Sequence, residues 1–218
     1  MPRHSQVVLE PRKSPVQARS AASVDAILEA TIQVLLDAGK ERLTTTRVAL
    51  RAGVSVGTLY QYFPNKSALL QAALKRHLDE VAEAIELACK EQKGKTLRQM
   101  VSALISAFLR AKIGNAMTSV ALYSVSSDVD GAKIVQDMRT RSHLAIVRML
   151  ATASDRLTID PQLAAVMLQG SMAGVSRMLL ESGAPGEQFE TLQRELILLA
   201  CAYLDARSTR PSVQQASV

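Results

Sequence analysis

The seven residues Val56-Gly57-Thr58-Leu59-Tyr60-Gln61-Tyr62 combine hydroxyls, a carboxamide and aromatic rings with no acid among them. In a helix, Leu59 and Phe63 stand four apart and form a buried stripe. Val56, Gly57, Thr58, Tyr60, Gln61 and Tyr62 then share the outer face. Hydroxyls and amides bond base edges and phosphate oxygens, and a face without carboxylates accepts a polyanion without repulsion.

Other groupings carry less chemistry. Lys93-Gly94-Lys95-Thr96 resembles the end of a phosphate-binding loop, but Cys89 stands where a leading glycine belongs and a helical pattern precedes it. In Gly170-Ser171-Met172-Ala173-Gly174 the serine is misplaced for a nucleophile elbow. His4, His77 and His143 are scattered, without a cysteine or carboxylate at metal-ligand spacing. Cys89 and Cys201 stand alone on helical segments and read as small buried hydrophobes in a reducing compartment. The chain reads as a non-enzyme without cofactor or metal.

The outer face needs a helix held at a fixed angle, and the preceding residues supply it. The threonines 44–46 cap a short helix, and Ala49 and Ala52 are small enough for a second helix to cross closely. Gly53 takes the left-handed conformation that ends the first helix, Val54 points inward, and Ser55 caps the second. Ala49, Gly53 and Leu59 thus meet the spacing of a helix-turn-helix.

Leu43-Thr44-Thr45-Thr46-Arg47-Val48-Ala49, Ala52-Gly53-Val54-Ser55-Val56-Gly57-Thr58-Leu59-Tyr60-Gln61-Tyr62-Phe63 and Pro64-Asn65-Lys66-Ser67-Ala68-Leu69-Leu70 closely resemble the N-terminal domain of the TetR family of bacterial transcriptional regulators. The resemblance covers about residues 20–75. It implies that Thr45, Thr46 and Arg47 begin a positioning helix, Thr45 on a phosphate and Thr46 or Arg47 within reach of a base. It further implies a recognition surface of Val56, Gly57, Thr58, Tyr60, Gln61 and Tyr62. Tyr60 and Gln61 face base edges, Thr58 and Tyr62 face phosphates, and Lys66 meets a phosphate at the start of the next helix. Leu50 departs from the polar residue often found at its position.

Charge agrees with that placement. The first 78 residues hold 11 Lys and Arg against 5 Asp and Glu, while the remaining 140 hold 15 of each. The whole excess of +6 therefore lies in the part that would meet phosphates. With seven prolines and ten glycines in 218 residues and abundant Ala, Leu, Glu, Gln and Arg, the expected fold is all-α with almost no sheet.

The expected organisation is a flexible basic arm over 1–20, a DNA-binding domain over 21–75, a helical effector-binding and dimerisation domain over 76–206, and a disordered tail over 207–218. A first helix from about Ser23 stops at Gly39. A long helix runs from Lys66 to about Gln92, and further helices cover about 96–113, 115–126, 130–153, 161–182 and 187–206. The N-terminus has no signal-peptide core and the apolar runs are short of a membrane span, so a cytoplasmic protein is expected.

Two features point to a homodimer. Gly170, Ala173 and Gly174 fall at i, i+3, i+4 within one helix, where each glycine costs about 1 kcal/mol against alanine unless close helix approach compensates. The last helix carries two adjacent stripes, one through Phe189, Leu192, Leu196, Leu199 and Tyr203 and a second through Ile197, Cys201 and Leu204. So wide an apolar arc needs cover on two sides. The predicted dimer contacts are Gly170, Ala173, Gly174, Ile197, Cys201 and Leu204.

The resemblance also implies a small-molecule effector bound among the fourth to eighth helices. Met100, Leu104, Phe108, Met117, Tyr123, Met138, His143, Met149 and Met167 offer a flexible, largely apolar lining. The neutral charge of that part favours a neutral or hydrophobic ligand. The expected function is a homodimeric, ligand-responsive repressor on a palindromic DNA operator. The alternatives are a DNA-binding regulator without effector and a helical protein-interaction module.

Overall fold

The computed structural model describes residues 18–182 and 185–209. Of the arm expected over 1–20 and the tail expected over 207–218, residues 1–17 and 210–218 lie outside the described residues, while 18–20 already belong to the first helix. Nine α-helices follow in order among those described: α1 Ala18–Arg42, α2 Thr45–Ala52, α3 Val56–Tyr62, α4 Lys66–Glu91, α5 Leu97–Ile113, α6 Ala116–Val125, α7 Gly131–Leu150, α8 Pro161–Glu181 and α9 Pro185–Asp205.

The helix boundaries have local causes. Thr96 accepts from the backbone N–H of Gln99, whose side chain returns to the Thr96 backbone, a reciprocal cap that starts α5. Asp160 caps α8 ahead of Pro161, whose missing N–H would have had no partner there. Gly39 sits at φ 74 and ψ 169, so the regular part of α1 does stop there and one further turn follows the kink. At its other end α1 starts at Ala18, earlier than the apolar periodicity predicts.

The expected all-α class is observed, with one small exception. Arg156–Leu157 (β1) pairs antiparallel with Ser208–Thr209 (β2), and Thr158 donates to the Arg207 carbonyl through both its backbone N–H (2.8 Å) and its hydroxyl (2.9 Å). The tail expected to be disordered from 207 therefore begins as an ordered strand.

The described chain forms two compact units. One contains the residues up to Leu78 together with Met117–Gln136, and the other contains Asp79–Ala116 and Asp137 onward. Residues 117–136, which the sequence reading places in the second domain, group with the residues up to Leu78. Two side-chain bonds lie within that group: His77 Nε2 meets Ser119 Oγ at 2.9 Å, and Gln71 donates to the Val129 carbonyl at 3.1 Å.

In the first unit Ile27, Leu43, Val48, Leu59, Phe63 and Leu69 are fully enclosed. Each such side chain contributes about 1.5–3 kcal/mol on leaving water. The second unit packs α5 against α8 and α9 around Leu97, Leu104, Ile105, Ile146, Leu168 and Leu179. Among the described residues, α8 is the one helix long and apolar enough to cross a membrane; here it is packed against α5 and α9.

Both cysteines are buried. Burial pushes the Cys89 thiol up to about 12, with the nearby Glu86 carboxylate adding to the shift. The thiolate is the reactive form, and burial together with the raised pKa holds Cys89 as the thiol in the folded protein. A thiol reagent at pH 8 is expected to find neither cysteine in the native chain and both after denaturation; rapid native modification would contradict the packing.

Candidate nucleic-acid interface

The interface is assembled from caps and crossings. Thr44 accepts from the Arg47 N–H at 3.2 Å and starts α2. Gly53, at φ 67, closes it: its own N–H reaches the Leu50 carbonyl (3.2 Å) and that of Val54 reaches Ala49 (3.0 Å). These two bonds satisfy carbonyls that the helix end leaves open, and the left-handed geometry is strained for any residue with a Cβ. Ser55 then caps α3, accepting from the Thr58 N–H at 2.9 Å while its Oγ lies 2.8 Å from Thr58 Oγ1. Val48, Ala49, Leu59 and Phe63 face inward and lock the crossing.

Two polar ties set the angles. Arg51 donates to Gln33 (2.9 Å) and to Asp37 (2.8 Å), fastening α2 to α1. Each group is exposed, so the pair adds little stability and mainly fixes orientation. Thr45 Oγ1 and the Tyr60 hydroxyl lie 3.0 Å apart and join the start of α2 to α3.

Every residue predicted for DNA contact lies on this helix pair or at the start of α4. Thr46, Arg47, Gly57, Tyr60 and Gln61 are exposed, and Thr45, Val56, Thr58 and Tyr62 are half-buried. Neither α2 nor α3 contains an acid. Arg47 Nη1 rests on the Arg42 carbonyl at 3.2 Å. Lys66 Nζ donates to the Lys40 carbonyl at 2.6 Å, leaving two of its three N–H groups for another acceptor. Sequence reasoning missed Arg51 and the Thr45–Tyr60 bridge. The signal for Arg51 was present: Gln33 and Asp37 stand at i, i+4 on α1.

The residues predicted for an effector pocket and for dimer contact differ in burial. Met100, Leu104, Phe108 and Met149 are buried in the core of the second unit. Met138 and His143 are half-buried, with His143 Nδ1 3.0 Å from Gln169 Oε1, while Met117, Tyr123 and Met167 are exposed. Of the predicted dimer contacts, Gly170, Ala173 and Gly174 are exposed and Ile197 is half-buried. Cys201 and Leu204 turn into the chain's own core; Leu198 and Leu199 are the large apolar residues of α9 that stand exposed among the described side chains.

Two short capped helices crossing at a glycine turn, with an outward face free of carboxylates, define a DNA-binding protein of the helix-turn-helix class. Residues 27–73 match the model for bacterial regulatory proteins of the tetR family, and residues 96–204 match that of the tetracyclin repressor-like C-terminal domain. The chain belongs to the TetR family and is a transcriptional regulator. It is 28% identical over 156 residues to the transcriptional repressor KstR of Rhodococcus jostii, covering 69% of this chain and 72% of that one. To the transcriptional regulator BetI of Rhizobium meliloti it is 32% identical over 152 residues, covering 66% and 73%. A crystal structure of a TetR-family regulator from Mesorhizobium loti shares the fold at a TM-score of 0.73 and 17% identity, covering 88% of this chain and all of that one.

Proposed function

We propose that this protein is a homodimeric repressor that binds a palindromic operator in the cytoplasm and is released by a small neutral or hydrophobic molecule. The observation that carries the dimer is the outward face of α8 and α9. Leu163, Val166, Met167 and Met178 on α8 and Leu198 and Leu199 on α9 are each close to or above half exposed. A Cβ added at Gly170 or Gly174 would meet nothing in the chain itself, so their helix-weakening cost has no intrachain return. A second copy packed on the same face supplies one, and a paired helix-turn-helix protein reads two half-sites about one turn of duplex apart. Repression follows the function named for KstR.

A regulator without effector is the second reading. It is favoured by the enclosure of Met100, Leu104, Phe108 and Met149 in a packed core. One experiment separates them: genomic fragments bound by the full chain are selected, and the strongest is challenged with a library of neutral organic compounds. Release by a compound that also raises the Tm supports the ligand-responsive reading. Retention across the library supports the second, and failure to enrich any fragment removes both.

A further inference from the structure

Leu50 is 81% exposed, although Val48 and Ala49 just before it on α2 are buried. Successive residues of a helix are turned by about 100°. Val48 and Ala49 therefore point inward while Thr46, Arg47 and Leu50 share the opposite side. Arg51 is drawn to α1 by Gln33 and Asp37, which leaves Leu50 on the flank away from that contact. Leu50 stands one turn beyond Thr46, about 6 Å along the axis, close to the rise of two base pairs.

We propose that Leu50 is a specificity-determining residue that reads the 5-methyl group of a thymine within about two base pairs of the base faced by Thr46 or Arg47. The proposal rests on the α2–α3 face being the DNA-contacting surface. An isobutyl group on a surface that docks against a duplex has one apolar partner in the major groove, the thymine methyl. The local charge agrees: Arg47 flanks Leu50 and α2 and α3 carry no carboxylate, so the surface fits a polyanion better than a second protein's apolar patch. Leu50 makes no polar bond to a phosphate, so its contribution is to duplexes carrying that thymine rather than to all sequences alike.

The test uses the full chain and a random-sequence duplex library. In the selected duplex each thymine is replaced singly by deoxyuridine, which deletes only the methyl. The wild-type protein is expected to lose about fourfold in affinity at one position in each half-site, the worth of one buried methyl. L50A and L50Q should bind the parent duplex more weakly and be indifferent to deoxyuridine at that position. Both should keep the wild-type melting temperature, since the side chain lies outside the core. Wild-type indifference at every thymine, or the same loss in both variants, would overturn the role of Leu50 while leaving the interface intact. If no duplex is enriched, the interface reading fails with it.

Discussion

Tyr60→Ala is expected to abolish specific operator binding, a loss of about 100-fold or more against the selected duplex. Two effects combine. The ring leaves the outer face of α3, and its hydroxyl no longer meets Thr45 Oγ1 across the 3.0 Å bridge to α2. Tyr60→Phe separates them, because it keeps the ring and removes only the bridge. If Thr45→Val and Tyr60→Phe each weaken binding and the double variant is no worse than either, the hydroxyl pair acts as one unit. Lys66→Ala is the control of opposite kind. Its ammonium lies at the start of α4 against the Lys40 carbonyl, so its loss should weaken all sequences alike and lower the salt slope by about one. Titrations of specific and scrambled duplexes across a salt series measure both quantities. Equal losses of specificity from Tyr60→Ala and Lys66→Ala would contradict the roles assigned to them.

If the proposed dimer forms through α8 and α9, an aspartate at Val166 together with another at Leu198 is expected to leave the protein monomeric. Both positions are more than half exposed in the single chain, so the charges remain hydrated there and the fold is kept. In a dimer the same carboxylates would be buried without partners, at a cost far above that of an ordinary interface substitution. Light scattering at micromolar concentration should read 23.5 kDa for the double variant and twice that for the native protein. Operator affinity should fall by about 100-fold or more, since linking two half-site contacts is worth 10² to 10⁴. The half-site base preference should be unchanged. A native protein that is already monomeric, or a double variant that stays dimeric, would remove α8 and α9 from the interface.

Much of the DNA-binding part is legible in the sequence because its determinants are local. Thr44, Gly53, Ser55 and Thr96 act on backbone groups within five residues of themselves, so residue type and spacing suffice to place them. Asp160-Pro161 marks the start of α8 for the same reason. The acid-free face is also visible, because Leu59 and Phe63 settle which side of α3 points inward. Burial on the last helix is harder to assign. Two adjacent apolar stripes on α9 satisfy periodicity equally, and only packing against α5 and α8 turns Cys201 and Leu204 inward while leaving Leu198 and Leu199 outside.

Sequence alone therefore determined an all-helical chain with its basic excess beside a helix-turn-helix, since caps, turns and periodicity act between near neighbours. The tertiary structure decided which hydroxyl Tyr60 meets, that Arg51 ties α2 to α1, that Leu50 stands in the open and that 117–136 joins the first unit. Those partners lie from 14 to 58 residues away along the chain, and Leu50 depends on α1 leaving its flank uncovered. Such contacts follow from how helices cross, a quantity that summed packing sets and no short stretch of residues encodes.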